Sequence, residues 1–195
     1  MRPDISDRLV HFTKGVDPTA AFNQLRTILS EGRLVGGNTH IKGGYRCVCF
    51  TEAPLESLPK GFVNSHAYSR YSSFGVMFDK TWIYDHGGRP VIYQGDAEYA
   101  LLPELLRYRH VRYEPAANPP IDFTWEREWR IRVDELHFSA ATAVVVVPER
   151  SWYEALLAEH QAGQDAMVEM YSQVIDKKLA EQYREGFPWK VMWWE

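Results

Sequence analysis

The spacing of hydrophobic and polar residues divides the chain into short strands and a few helices. Residues 8–13 (RLVHFT) alternate between two faces, which predicts a first strand. A helix follows, because Asp17 offers an N-cap, Pro18 suits the first helical position and Gly32 suits the C-terminal stop. Further strands are predicted over 45–51, 74–78, 90–93, 107–113, 124–132, 142–147 and 189–194, and further helices over 80–84, 97–106, 151–162 and 165–184.

These elements predict one α+β domain over residues 1–195. No internal repeat, low-complexity segment or Pro-, Gly- and Ser-rich linker divides the chain. The strand at 142–147 is apolar enough to be central, so we expect a large mixed sheet with flanking helices and a C-terminal helical pair. The stretch 52–72 is polar, aromatic and Pro-containing, and is predicted to be mostly irregular with one helical turn at 66–71.

Composition narrows the class of protein. With 45% hydrophobic and 25% charged residues in 195, the chain can bury a sizeable core, which excludes a disordered protein. A formal net charge of −4 is too near balance for binding driven mainly by phosphate neutralisation, so a nucleic-acid contact would need a local patch. No apolar run approaches the roughly 20 residues that cross a bilayer, and residues 1–4 do not begin a secretory signal, so we expect no membrane association and a cytoplasmic location.

The best candidate for chemistry is the segment 125–130 (WEREWR). As a strand it would place Glu126, Glu128 and Arg130 on one face and anchor both tryptophans against the core on the other. The two carboxylates would then lie about 7 Å apart at their Cα atoms. Such a pair can divide labour, one stabilising a cation and the other orienting or deprotonating a nucleophile. The alternative is a solvated strand face with weak cross-strand ion pairs.

Two other parts of the chain offer candidates for ligand binding. His11 and Thr13 end the first strand just before a helix whose N-terminus would favour a ligand phosphate, although a strand-end histidine also commonly bonds a backbone carbonyl. Thr51 and Tyr71 flank the polar aromatic stretch, which could line a cleft and stack on flat rings, although such rings also fill cores. Cys47 and Cys49, two apart on a strand, are expected to be reduced core thiols.

The order of these features resembles a known family. The matching segments are 11–13 (HFT), 28–34 (ILSEGRL), 49–55 (CFTEAPL), 71–78 (YSSFGVMF) and 125–131 (WEREWRI). Together they are similar to the abortive phage-resistance proteins of the AbiGi type and, more distantly, to ADP-ribosyltransferase toxins that act on nucleic acid. The resemblance implies an ADP-ribosyltransferase-like fold for the whole chain.

The same resemblance implies a binding site for NAD, which such enzymes use as a substrate. By likeness to the family, His11 with Thr13 would hold the ribose and phosphate side of NAD. Thr51 or Tyr71 would steady the nicotinamide side. The first strand carries His11 where arginine-modifying members carry arginine, and the second strand lacks a clear Ser-Thr-Ser.

The resemblance also implies that Glu128 is catalytic, with Glu126 two residues before it. Departure of nicotinamide makes an oxocarbenium-like sugar whose charge Glu128 would stabilise, while Glu126 would aim the acceptor. The implied acceptor is nucleic acid or protein, in a phage-defence or toxin–antitoxin setting with a cognate toxin or antitoxin partner. This hypothesis expects His11 and Glu128 to meet in one cleft.

Two other classes of function remain open from the sequence. One is a non-catalytic partner protein on the same scaffold, such as an antitoxin, which would not bind NAD. The other is a metal-dependent nuclease that would use Glu126, Glu128, Asp79 and Asp122 as ligands. Binding of NAD favours the first hypothesis over the partner protein, and divalent-ion-dependent cleavage of nucleic acid would favour the nuclease.

Overall fold

The structure, a computed structural model, describes residues 5–53 and 72–193. The strands are β1 (Arg8–Phe12), β2 (Arg33–Val35), β3 (Cys47–Thr51), β4 (Gly75–Asp79), β5 (Arg89–Pro90), β6 (Ile92–Gln94), β7 (His110–Arg112), β8 (Glu128–Arg132), β9 (Glu135–His137), β10 (Ala143–Val147) and β11 (Lys190–Trp193). The helices are α1 (Pro18–Glu31), α2 (Lys80–Asp85), α3 (Arg150–Ser172) and α4 (Lys177–Ala180). Single 3₁₀ helices lie at Asp96–Leu101, Glu104–Arg109, Thr124–Glu126 and Glu181–Tyr183.

A seven-stranded mixed sheet forms the centre of a single α+β domain. Its order is β11-β10-β4-β1-β3-β8-β5, in which only β10 and β11 are parallel neighbours. Two small pairs, β2 with β9 and β6 with β7, lie outside this sheet. The predicted α+β class and the mixed central sheet are thus confirmed. Within the described ranges no helix has both the length and the apolar character needed to cross a membrane.

One face of the sheet, here called the helix face, carries the main core. Its members on the four central strands are Leu9 of β1, Val76 of β4, Phe50 of β3 and Trp129 of β8. They pack with Phe22 and Leu25 of α1 and with Leu156 of α3. Because α1 and α3 supply apolar stripes to this face, it buries most of the hydrophobic surface of the domain.

The opposite face, here called the second face, is mixed in character. Val10 of β1 and Met77 of β4 belong to a smaller apolar cluster there. Val10 pairs with Thr51 of β3, and Thr51 pairs in turn with Glu128 of β8. Since residues directly opposite in neighbouring strands share a face, Thr51 and Glu128 extend the second face as polar residues.

The helix predicted after the first strand is confirmed, with its caps. Asp17 accepts a hydrogen bond from the backbone N–H of Ala20 at 2.7 Å, which satisfies one of the free donors at the helix start. Gly32 adopts a left-handed φ of 60° and donates its N–H to the carbonyl of Ile28. The end of β1 and the start of α1 are therefore fixed by local sequence.

The strand predicted over 124–132 is wrong in its first half. Arg127 has a left-handed φ of 45° and ends the 3₁₀ helix Thr124–Glu126, so the strand begins only at Glu128. Trp129 is 8% exposed and packs into the core, whereas Trp125 is 42% exposed. The expectation that both tryptophans anchor the same strand face is therefore also wrong.

Several other boundaries differ from the predictions. The helix predicted over 97–106 is a pair of 3₁₀ helices separated by Pro103, and only His110–Arg112 of the next predicted segment is a strand. The C-terminal helical pair exists with other limits, since α3 continues through Gly163, a position with open space around it. The strands β2 and β9 were not predicted, because three residues are too few to show alternation. The turn predicted at 66–71 lies outside the described residues.

Gly75, the first residue of β4, is required by close approach of β1. A Cβ atom added there would lie 2.5 Å from the backbone oxygen of His11. We expect Gly75→Ala to destabilise the protein by about 1–3 kcal/mol, because one of two central strands must shift. Urea denaturation measures the change. Gly163→Ala is the control: it adds a methyl to a helix with nothing within 4 Å and is expected to stabilise by roughly 0.5–1 kcal/mol. Equal effects would contradict the close approach.

Candidate functional site

A buried ion pair lies on the second face at the start of β8. The Arg130 Nε atom donates to Glu128 Oε1 at 2.7 Å, and Nη2 donates to Oε2 at 3.0 Å. The two residues are two apart on one strand, so their side chains leave the same face. The Arg130 side chain is 6% exposed and that of Glu128 is 10% exposed. This is the bidentate geometry in which a guanidinium binds a carboxylate most strongly.

Arg130 also binds backbone outside the sheet. Its Nη1 atom donates to the carbonyl of Tyr108 at 2.8 Å and to that of His110 at 3.1 Å. These carbonyls belong to the 3₁₀ helix Glu104–Arg109 and to β7. The buried guanidinium therefore connects β8 to the segment that covers this part of the second face.

Neutral groups surround Glu128 on its other sides. The backbone N–H of Glu128 donates to the Tyr93 hydroxyl at 3.1 Å, and Cys49 of β3 lies on the same face, directly opposite Arg130. Burial raises the pKa of Tyr93 to about 12, and burial together with the Glu128 charge raises the pKa of Cys49 well above its usual value. Burial likewise raises the pKa of Cys47 to about 11. Both cysteines are free thiols, as predicted, and neither is a thiolate at neutral pH.

Glu126 lies two residues before Glu128, and a hydrogen bond to its backbone carbonyl holds it in place. The Thr51 hydroxyl donates to the Glu126 carbonyl at 2.6 Å, so two of the predicted site residues are in direct contact. The described residues place no hydrogen bond or ion pair on the Glu126 carboxyl. Burial, reinforced by the charge of Glu128, raises the pKa of Glu126 to about 7, against the opposing charges of Arg130 and Lys14. Near neutral pH this carboxyl is thus about half protonated.

His11 binds the neighbouring strand. Its Nδ1 atom lies 2.8 Å from the carbonyl oxygen of Cys49. A carbonyl can only accept, so Nδ1 carries the hydrogen and Nε2 is left as an acceptor. Burial lowers the pKa of His11, which keeps the imidazole neutral at physiological pH. The single ladder pair between β1 and β3 is Val10 with Thr51, and the His11 bond joins the strands beyond it.

The structure does not bring His11 and Glu128 into one cleft. His11 pairs with Val76 and contacts the Phe50 ring edge-on, and both of those residues belong to the helix face. Glu128 leaves the sheet on the second face with Thr51. The expectation of a shared pocket is wrong because strand alternation puts the two side chains on opposite sides of the sheet.

The other predicted cofactor residues have different surroundings. Thr13 is buried, and its hydroxyl lies within hydrogen-bond distance of the Ala21 carbonyl (3.2 Å), the Ser72 hydroxyl (2.9 Å) and the Phe74 carbonyl (3.2 Å). It joins β1, α1 and the start of β4, on the side of the sheet where α1 packs. Tyr71 lies outside the described residues.

The carboxylates considered for a metal site are separated. Asp79 forms an ion pair with Arg8 at 2.6 Å, and Asp122 accepts hydrogen bonds from Thr124. Over 5–53 and 72–193, no group of three or more His, Cys, Asp and Glu side chains could hold a metal ion.

Two surface clefts lie away from Glu126 and Glu128, which are here called the acidic pair. One, of about 290 Å³, is lined by residues of α3 and of the segment 184–187, including His160 and Phe187. The other, of about 350 Å³, lies at the far end of β8 and includes Tyr45, Arg46 and Arg132. Neither is lined by Glu126 or Glu128.

Three neighbours of the acidic pair were not predicted as site residues. Tyr93 lies on the short strand β6, Lys14 follows β1, and Cys49 was interpreted only as a core thiol. The alternation of β3 could have placed Cys49 beside Thr51 on one face. Nothing local marks Tyr93, because its position depends on how β6 packs across β8.

No family model, curated protein or solved structure matches this chain. The chemistry of the site therefore rests on its own geometry. Glu128 has both oxygens bound by a cation, whereas Glu126 sits in a desolvated position with a pKa of about 7. Two carboxyls whose surroundings differ in this way can act as a fixed negative charge and a proton acceptor.

The raised pKa of Glu126 predicts how stability varies with pH. The folded state binds a proton that the unfolded state releases near pH 4.5, so stability should fall between about pH 4.5 and 7 and level off above. Glu126→Gln should lack this fall, so its free energy of unfolding relative to wild type should be about 3 kcal/mol more favourable at pH 8 than at pH 4.5. Urea denaturation across this range measures it. The exposed Glu104→Gln is the control and should parallel wild type; a parallel curve for Glu126→Gln would contradict the assignment.

Proposed function

We propose that this protein is an NAD-dependent ADP-ribosyltransferase of the cytoplasm, with Glu128 and Glu126 as its catalytic carboxyls. The family resemblance of the sequence suggests the reaction and an ADP-ribosyltransferase-like fold. The observation that carries the proposal is the unequal carboxyl pair at the start of β8, one ion-paired and one desolvated. We propose nucleic acid or protein as the acceptor, in a phage-defence or toxin–antitoxin role.

Glu128 suits the ribose side of the reaction. Each of its oxygens accepts one hydrogen bond from Arg130 and keeps further lone-pair capacity for a sugar hydroxyl. When the bond between C1′ and the nicotinamide nitrogen breaks, nicotinamide leaves as a neutral molecule with the bonding pair. The ribose is left as an oxocarbenium-like cation, and a fixed carboxylate stabilises that charge more than it stabilises the ground state.

Glu126 suits the acceptor side. The acceptor nucleophile forms the new bond to C1′ and loses a proton, which the Glu126 carboxylate takes up. A base with a pKa of about 7 is present in its active form at neutral pH and still binds the proton well. The Thr51 hydroxyl fixes the backbone of Glu126 from the neighbouring strand, so Thr51 supports the site through this carbonyl.

We propose a structural role for His11 in place of the NAD-binding role that the resemblance implies. It lies on the helix face, where it joins β1 to the Cys49 carbonyl. We propose that it holds the position of β3, from which Cys49 and Thr51 reach the acidic pair. The proposed chemistry therefore depends on Glu126 and Glu128 and needs no contact between His11 and the reacting ribose.

Labelled NAD and a cell extract test the activity. Glu128→Gln is expected to lose nicotinamide release and ADP-ribosyl transfer by about 100-fold or more, because the developing charge loses its carboxylate. Glu126→Gln is expected to lose transfer by about 100-fold and release by less, since it acts on the acceptor. Glu104→Gln, on an exposed 3₁₀ helix, should match wild type.

Wild type that neither cleaves NAD nor transfers its label, and so behaves like Glu128→Gln, would contradict the proposal. A melting temperature unchanged in millimolar NAD would then favour a non-catalytic partner protein, since a ligand of the folded state must raise its stability. Cleavage of nucleic acid that requires a divalent ion would favour the nuclease.

The transfer rate should also depend on pH. Because Glu126 acts in its ionised form, the rate is expected to rise with pH through a midpoint at about 7 and to level off above about pH 8. Glu126→Gln should show no such midpoint in its residual rate. A wild-type profile that is flat between about pH 6 and 8 would exclude Glu126 as the base.

A further inference from the structure

Every nitrogen of the buried Arg130 guanidinium makes a hydrogen bond, although Arg130 does not belong to the apolar core. Four hydrogen bonds use Nε, Nη1 and Nη2, two to Glu128 and two to the carbonyls of Tyr108 and His110. The apolar core lies on the other face of β8, with Trp129 and Ile131. Replacing a buried ion pair by apolar residues of similar volume is often neutral or stabilising. The pair is therefore better explained by what it fixes than by the stability it adds.

The fork of Arg130 distinguishes the two carboxyls of the acidic pair. Glu128 is bound at both oxygens, whereas the described residues give the Glu126 carboxyl no cation at hydrogen-bond distance. Two nearby carboxyls without such a difference share a proton between them and titrate as a pair. An arginine bound to one of them settles which carboxyl holds the charge.

The other groups around the pair do not supply this difference. Cys49 and Cys47 of β3 and Tyr93 of β6 face the ion pair as neutral groups at physiological pH. Lys14, which follows β1, is exposed and acts on Glu126 only through its charge. Among the described groups, Arg130 is thus the cation that binds one of the two carboxyls through hydrogen bonds.

We propose that Arg130, itself held by the Tyr108 and His110 carbonyls, is a positioning residue that clamps the Glu128 carboxylate and thereby makes Glu126 the proton-accepting carboxyl of the pair. This inference rests on the proposed function for its catalytic meaning. The clamp itself is a property of the folded protein and is measurable without activity.

Carbon-13 NMR of the glutamate side-chain carboxyls tests the clamp in the full chain. Glu126→Gln and Glu128→Gln assign the two signals by their loss. In wild type, the Glu126 signal should move with a midpoint near pH 7. In Arg130→Gln, the Glu126 midpoint should move away from its wild-type value, because the two carboxyls then share the proton.

Arg132→Gln is the matched control. Arg132 lies two residues further on the same strand and face, is exposed, and stacks on the Tyr45 ring. It should leave the Glu126 midpoint as in wild type. A folded Arg130→Gln in which the Glu126 midpoint matches that of the control would overturn the proposal.

Arg130→Lys keeps the inference testable if Arg130→Gln does not fold. Lysine keeps the charge but cannot make the bidentate fork. We expect it to shift the Glu126 midpoint by about half a pH unit or more, and to lower kcat for NAD cleavage by about tenfold with little change in KM. A midpoint like that of the control would overturn the clamp. If wild type is inactive, only the proposed function is contradicted, because the Glu126 titration still tests the role of Arg130.

Discussion

The buried pair of Glu128 and Arg130 is the interaction on which the rest of the site depends. Taking two charges out of water costs several kcal/mol per ion, and the cost is recovered only when geometry and further hydrogen bonds are good. Here the carboxylate is bound at both oxygens and the guanidinium also reaches two backbone carbonyls. A pair satisfied this fully can persist in the interior, and it places a fixed negative charge beside Glu126.

The sheet explains why these groups meet on the second face. On the helix face, α1 and α3 cover the apolar side chains of β1, β3, β4 and β8. On the second face, alternation brings out Cys49 and Thr51 from β3 and Glu128 and Arg130 from β8, while β6 and β7 supply the Tyr93 hydroxyl and the His110 carbonyl. The candidate site therefore lies on the face of the sheet that the main core does not cover.

Local patterns predicted the elements whose ends are marked by local chemistry. The Asp17 cap and the Gly32 stop lie within a few residues of the helix they bound, so α1 was predictable, and the apolar run of β10 was strong enough to place it in the sheet. The acidic pair was proposed from the alternation of residues 125–130, but Glu126 belongs to the 3₁₀ helix Thr124–Glu126 and the strand begins only at Glu128. The left-handed turn at Arg127 gives no signal in the residue pattern.

What the sequence could not supply is how strands are paired across the sheet. Whether His11 and Glu128 share a face depends on the pairing of Val10 with Thr51 and of Thr51 with Glu128, and a shift of one residue would reverse it. The raised pKa of Glu126 likewise follows from burial and from the Glu128 charge, which neither residue's spacing specifies.

A crystal structure of the protein with bound NAD tests the central claim most directly. The account predicts the nicotinamide ribose at the start of β8, with a ribose hydroxyl within hydrogen-bond distance of Glu128, C1′ facing Glu126 and the Arg130 fork intact. A dinucleotide bound only elsewhere, for example in the cleft beside Tyr45 and Arg132, with no contact to either glutamate, would contradict it.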